Sequence, residues 1–392
     1  MALQHRGAVI AALGSAQTLA WGSSYYLAAL LAAPIARELG LREPTVFLAF
    51  SCALVISALV GPWSGRTIDR HGGRRLLMGT SLLFAAGLAG LGLVQGPWGL
   101  FAAWIVLGLA MGSGLYEAAF ATLVRLYGQD SRNAITGITL IAGFASTVGW
   151  PLTAWMESQV GWRGACFGWA LLHLVLGLPL NAWLPSVTVP QAPASAATPG
   201  ATSDGPDAAP PSPLLTSVLL SFVFAVAWFT STAMAAHLPR LMQALGASLA
   251  VAVAVGALVG PAQVAGRLLE FGVLRRVHPL LSARLATLAH PLGAAVLLFA
   301  GPAFAPLFAV LHGAGNGILT IAKGTLPLVF FGPQGYGARQ GWLMLPGRIA
   351  QAFAPFAFGL ALDHWGATSL WLSAALGIAA FAALMVRRSR QP

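Results

Sequence analysis

Long apolar runs, separated by short intervals of glycine, proline and charge, follow one another along the whole chain. They fall at about 8–33, 45–65, 76–95, 99–126, 134–156, 164–185, 213–239, 247–268, 280–301, 304–331, 338–362 and 367–387. A bilayer core of about 30 Å needs roughly 20 helical residues to cross it. The pattern therefore predicts twelve transmembrane helices in an all-α integral membrane protein. The first run is too long for a signal-peptide core and has no small-residue cleavage site, so it reads as a retained helix.

One interval differs from the rest. Residues 187–212 are rich in Pro, Ala, Ser, Thr and Gly, with two aspartates and no basic residue. Such a segment cannot bury a core and reads as a flexible linker. It splits the chain into an N-terminal bundle, 1–186, and a C-terminal bundle, 213–392. The two parts repeat. Ala20-Trp21…Pro34…Leu39-Gly40 returns as Ala227-Trp228…Pro239…Leu245-Gly246, and Gly61-Pro62 returns as Gly260-Pro261. Gly65-Arg66-x-x-Asp69 returns as Gly266-Arg267-x-x-Glu270, and Gly112-x-Gly114 as Gly315-x-Gly317. An ordered series at a nearly constant offset marks a duplication, here two pseudo-symmetric bundles of six helices.

Composition narrows the function classes. The chain is 57% hydrophobic and 8% charged, whereas a soluble domain is roughly a quarter charged. A soluble enzyme, a nucleic-acid binder and a disordered protein are excluded together. The net charge of +11 sorts by topology. With the N-terminus cytoplasmic, 15 basic residues fall on inside segments, 4 outside and 2 within helices. The positive-inside rule then places both termini and the linker in the cytoplasm, and a cytoplasmic (inner) membrane location is expected. Cys52 and Cys166 both lie in apolar runs and form no metal-ligand or disulfide pattern. No metal and no cofactor is expected.

The interval after the second run reads Gly65-Arg66-Thr67-Ile68-Asp69-Arg70-His71-Gly72-Gly73-Arg74-Arg75. Gly65 permits close helix approach, Asp69 suits a helix N-terminus or an arginine, and Gly72 permits a tight turn. The segment closely resembles the major facilitator superfamily signature Gly-x-x-x-Asp-Arg-x-Gly-x-Arg-Arg, and the resemblance extends over the whole chain. It implies a secondary transporter in which one bundle rocks against the other around a midplane site. It also implies that Gly65, Asp69, Arg70, Gly72 and Arg74 latch the cytoplasmic side, that the first, fourth, seventh and tenth helices line the path, and that the protein works as a monomer. Two positions depart from the relatives. Trp104 stands where many proton-coupled members carry an arginine, and Gly149-Trp150-Pro151 matches the drug-antiporter motif poorly.

Ionisable residues at membrane depth are costly and usually face a cavity or a partner. Glu117, Lys323 and Arg348 lie at similar depth, roughly 12–15 Å from the cytoplasmic helix ends. In the tenth run His312, Asn316, Thr320 and Lys323, the only lysine, are spaced 4, 4 and 3 and share one face. Gln17, Trp21, Ser24 and Tyr25 share a face of the first run, Trp228 and Thr232 one of the seventh, and Trp21 and Trp228 are repeat-equivalent. His173 and His290 read as structural. Two cations face one carboxylate, so pairing Glu117 with either Lys323 or Arg348 leaves one cation over.

That excess points to a small organic anion, a carboxylate, held by Lys323 and Arg348. Asn316, Thr320, Trp21, Tyr25 and Trp228 would line its site, and Glu117 would titrate to couple a proton. The design is similar to that of the oxalate/formate and monocarboxylate groups of the superfamily. The alternative is an efflux pump for lipophilic drugs or neutral toxic compounds, arsenicals included, in which Lys323 and Arg348 are structural. No phosphate-binding loop or catalytic cluster is present, so no enzyme activity is expected. The expected partners are the substrate, a coupling proton and the lipid bilayer, with no nucleic acid.

Overall fold

The computed structural model describes residues 6–186 and 213–386. The linker at 187–212 and Arg387, Arg388 and Arg390, which contribute to the orientation signal, lie outside the described residues. Every regular element among the described residues is helical. The first predicted run divides into α1 (Arg6–Gly22) and α2 (Leu27–Glu38), followed by α3 (Glu43–His71) and α4 (Gly73–Leu93). The fourth run divides into α5 (Pro97–Gly114) and α6 (Tyr116–Tyr127). The fifth and sixth occupy α7 (Arg132–Ala142), α8 (Ala145–Leu172) and α9 (Leu178–Ala182). Gly161, with φ of +70°, breaks α8 between those two runs. The last six runs are α10 (Pro213–Ala244), α11 (Leu249–Gly272), α12 (Pro279–Ala300), α13 (Ala305–Phe331), α14 (Tyr336–Trp365) and α15 (Leu370–Met385).

Among the described residues, eight stretches are long and apolar enough to cross a membrane, and two of them are much longer than one crossing. The 86-residue stretch 97–182 holds three predicted runs, and the 50-residue stretch 336–385 holds two. All twelve predicted runs are thus helical, the first of them as the broken pair α1 and α2.

The two breaks differ from the expectation of continuous helices and have local causes. After α1, the Ser23 and Ser24 hydroxyls donate to the Ala20 carbonyl at 3.4 and 2.6 Å, a back-bonding that bends helices. Between α5 and α6, Leu115 is extended, with φ of −83° and ψ of −164°, just after the flexible Gly112-Ser113-Gly114. Tyr116 and Glu117 therefore open a new helix, and a carboxylate in a first turn is favoured by the helix dipole. Both breaks sit within a single predicted run, where Gly22-Ser23-Ser24 and Gly112-Ser113-Gly114 are too short to end the run, which hid them from the run pattern.

Glycine spacing sets the tightest helix contacts. Gly108 and Gly112 of α5 face Ala53 and Ser57 of α3, while Gly313 and Gly317 of α13 face Val259 and Gln263 of α11. A Cβ on Gly108 would stand 2.6 Å from the Ala53 carbonyl oxygen, and one on Gly313 equally close to that of Val259. The same four-residue glycine spacing serves a tight contact in both sets of helices, although the repeat itself pairs Gly112 with Gly315, which faces Ala286 of α12. Gly108→Val and Gly313→Val are each expected to cost about 1–3 kcal/mol through overpacking. The measurement is the thermal midpoint in detergent, and two unchanged midpoints would contradict this reading of the contact.

Buried apolar residues before the linker form one cluster and those after it form two, with Leu328 and Tyr336 joining the first. The two sets of helices meet where α3 packs on α14 and α7 packs on α11 and α13. Those contacts lie at the end of the molecule that carries the chain ends. There Arg6 donates to the Asp130 carbonyl and Arg284 to that of Leu384. This end is called the terminus side below.

Candidate functional site

The three charges that the sequence places at membrane depth come from three helices: Glu117 from the first turn of α6, Lys323 from α13 and Arg348 from α14. Arg348 Nη2 donates to both Glu117 oxygens, at 2.8 and 3.0 Å. Its Nη1 donates to Gln351 Oε1 at 3.1 Å, and Gln351 Nε2 donates to the Tyr25 hydroxyl at 3.1 Å. One chain of bonds thereby joins α6, α14 and the break between α1 and α2. The partner of Glu117, open between two cations in the sequence, is Arg348. A cavity with room for about one water adjoins the pair, lined by Ser57, Gly112, Gly341 and Met344 among others.

Lys323 is buried, with 8% of its surface exposed. Its Nζ stands 3.7 Å from the centre of the Trp228 ring, a cation–π contact. Among the described residues its ammonium has no ion-pair or hydrogen-bond partner; the ion pairs found there are Arg132–Glu270, Arg163–Glu38, Arg240–Asp363 and Arg348–Glu117. The Arg348 guanidinium carbon lies 4.6 Å from the same Trp228 ring and 5.9 Å from that of Trp21. The two indoles are near-parallel, 16° apart with centroids at 6.5 Å, and Trp21 also packs on Tyr116 at 5.1 Å and Tyr25 at 5.4 Å. Both indole N–H groups are buried without a partner. Lys323, Trp21 and Trp228 thus bring donors that lack acceptors to one place, where helices of both sets meet.

The remaining sequence candidates are distributed around this centre. Thr320 donates to the Asn316 carbonyl at 2.8 Å, and the Asn316 amide contacts His312 Nε2 at 3.0 Å. His312 Nδ1 faces His290 Nδ1 at 3.1 Å. The far end of the α13 stripe therefore bonds into α12 of its own set. His173 contacts the Ser23 hydroxyl at 2.7 Å and stacks on Phe84. Gln17 donates to the Gly114 carbonyl at 2.7 Å, bracing the α5–α6 break. Two contributors were missed or left undecided from sequence. Gln351 lies three residues after Arg348, a spacing that puts both on one helix face, and Tyr116 packs at a tilt on Trp21.

On the terminus side, Asp69 accepts from the backbone N–H groups of Gly337 and Ala338, each at 2.8 Å. These are unsatisfied donors of the first turn of α14, the natural place for an anion. Gly65 packs directly on Gly337, and Gly72, with φ of +80°, makes the turn into α4. Arg70 is exposed and Arg74 half-buried; among the described residues neither bonds to the second set. Across the molecule Arg132 donates to Glu270 at 2.8 Å, and Arg267 to the Thr139 carbonyl at 3.3 Å. Glu270 was visible in the sequence only as the echo of Asp69. On the opposite side, Arg163–Glu38 and Arg240–Asp363 join helices of the same set. Hydrogen bonds from Arg163, then Trp162, hold the Glu38 carboxyl below the ordinary glutamate range. That contact is complete at neutral pH and is lost as pH falls through the carboxylate range.

Asp69→Asn keeps the shape but removes the charge and one acceptor. It is expected to populate a state with the terminus side open. Spin labels at the exposed positions Asp130 and Arg275 should then show a longer distance than in the unaltered protein, and an unchanged distribution would count against a latch.

Residues 13–322 match the family model described as Major Facilitator Superfamily. A curated relative, an uncharacterized 38 kDa protein in the 23S RNA operon of Thermoproteus tenax, is 32% identical over 153 residues. That match spans 39% of this chain and 40% of the relative. Among solved structures, the proton:xylose symporter XylE superposes with a TM-score of 0.75 at 13% identity, covering 97% of this chain and 95% of that one. The transporter FucP in its outward conformation gives 0.74 at 13% identity, over 97% and 98%. The human organic anion transporter MFSD10 gives 0.73 at 17% identity, over 97% and 99%.

Proposed function

The chain belongs to the major facilitator superfamily and is a membrane transporter rather than an enzyme, and on that premise we propose that it carries a small organic anion, a carboxylate, by alternating access. The fold is shared by sugar symporters and an organic anion transporter alike, so the substrate has to be read from the site. The observation that carries the reading is the set of buried donors without acceptors: the Lys323 ammonium and the indole N–H groups of Trp21 and Trp228. Buried donors left unmatched are costly. A carboxylate supplies the missing acceptors and the missing negative charge at once. A neutral lipophile would leave Lys323 as it stands.

In this reading Lys323 meets the anion first, because Arg348 is already neutralised by Glu117. Protonating Glu117 would release the guanidinium toward the anion, since Arg348 and Lys323 both lie on the Trp228 ring. Substrate and proton would then favour the same arrangement, which is the requirement for coupling. The terminus side is assigned to the cytoplasm from the distribution of arginines. With Asp69 and Glu270 bonded across it, the site would be reached from outside.

Counterflow in proteoliposomes, with labelled carboxylates beside neutral hexoses and lipophilic cations, tests this. Carboxylate exchange is expected. Exchange confined to neutral or lipophilic compounds and indifferent to Lys323→Ala would favour the efflux reading. In the same vesicles Glu117→Gln is expected to abolish the substrate-driven pH change; an undiminished change would remove Glu117 from coupling.

A further inference from the structure

We propose that the transported anion is a planar, conjugated carboxylate whose ring stacks on Trp228, a reading that rests on the anion site described above and narrows it to an aromatic class. The walls of that site are rings. Trp21 and Trp228 lie 16° from parallel at 6.5 Å, and Trp21 further contacts Tyr25 at 5.4 Å and Tyr116 at 5.1 Å. Trp228 and Tyr25 are half-buried and retain exposed surface, whereas Trp21 is 5% exposed. A ligand entering the site thus meets the face of Trp228 with Trp21 behind it.

Lys323 lies on that ring. Its ammonium rests 3.7 Å from the centre of the Trp228 ring and has no hydrogen-bond or ion-pair partner among the described residues. The ring quadrupole is its direct contact. An arriving carboxylate is a far better partner and draws the ammonium toward its oxygens, which frees the place it holds over the indole, with Arg348 remaining beside the ring at 4.6 Å. A flat ring joined to that carboxylate then takes the vacated place, offset over the indole. A saturated ring of the same size cannot lie flat there and loses the geometric part of the stack. The one arrangement therefore engages the lysine cation and the Trp228 ring together.

Benzoate and cyclohexanecarboxylate form the discriminating pair, because they match in charge and size and differ in planarity. Each is titrated as an unlabelled competitor against radiolabelled benzoate bound to the purified full-length protein. Benzoate is expected to compete better by roughly tenfold. The preference is expected to shrink below about twofold in Trp228→Leu and to survive in Trp228→Phe, which keeps a ring to stack on. Size-exclusion profiles of both variants show whether they fold, and Trp228→Phe alone suffices if Trp228→Leu does not. Equal competition by the two acids in the unaltered protein would overturn the aromatic preference while leaving the anion site standing. A preference that persists in a folded Trp228→Leu would overturn the role of Trp228. Benzoate that fails to bind at all, while an aliphatic carboxylate is exchanged, would also overturn the proposal without touching the broader reading. Absence of exchange with every carboxylate would remove both.

Discussion

Lys323→Met is expected to abolish carboxylate transport and, at the same time, to raise the thermal midpoint of the protein. The two effects have one origin. A lysine that is 8% exposed and whose ammonium has a ring as its direct contact is a charge taken out of water for a purpose other than stability. Buried charge without an ion pair costs several kcal/mol, and a desolvated cation–π contact returns about 2 kcal/mol or somewhat more. Methionine has a similar length, fills the space and carries no charge, so a gain of about 1 kcal/mol or more is expected. Transport loses the cation that meets the anion first, a decrease of about a hundredfold or more in kcat/KM, equal to roughly 2.7 kcal/mol of binding. Counterflow and a thermal melt on the same preparation read both. A variant that is inactive because it is less stable would make Lys323 a structural residue.

The second large effect is expected at Arg348. Its guanidinium is 4% exposed and joins Glu117, Gln351 and, through Gln351, Tyr25. Arg348→Ala leaves Glu117 without its cation, and breaking a buried pair from one side costs about 3–5 kcal/mol. Because the Glu117 side chain keeps 17% exposure, water can reach it, and the lower end of that range applies. Arg348→Ala combined with Glu117→Gln is expected to recover part of the loss, since no bare carboxylate remains. The double-mutant cycle isolates that recovery as a coupling energy. Arg348→Lys is expected to recover less, because one ammonium cannot reproduce a guanidinium that serves Glu117 and Gln351 from two nitrogens. A loss below about 1 kcal/mol for Arg348→Ala would mean that the pair is solvated and weak.

The helical plan was legible because the bilayer imposes it. Twelve apolar runs of the right length, a polar linker and a repeated set of glycines are properties of the sequence itself, and each run is helical in the structure. The breaks at Ser23 and Leu115 were not legible, since the short polar and glycine steps beside them do not end the apolar runs. They matter to the site because one frees Tyr25 and the other turns Glu117 into a helix-start residue. Of the site, the residue types were legible and the pairings were not. Depth counting brought Glu117, Lys323 and Arg348 to one level, but rotation about each helix decides which of them touch. That decision fell to Arg348, and Lys323 was left on Trp228. The four-residue stripe of α13 shows the same limit. Its shared face is real, yet His312 and Asn316 are drawn into bonds with each other and with His290, which helical spacing alone does not show. Asp69 was legible by type as a group suited to a helix N-terminus or an arginine, but that the group beside it would be the start of α14 required the fold.

The most direct measurement is equilibrium binding of a radiolabelled carboxylate to purified protein, with and without Lys323. Saturable binding to the unaltered protein is expected, strongly weakened in Lys323→Met and retained in a variant altered far from the site, such as Asp363→Asn. Equal affinity in Lys323→Met, in protein shown to be folded, would contradict the assignment of this lysine as the anchor of a transported anion.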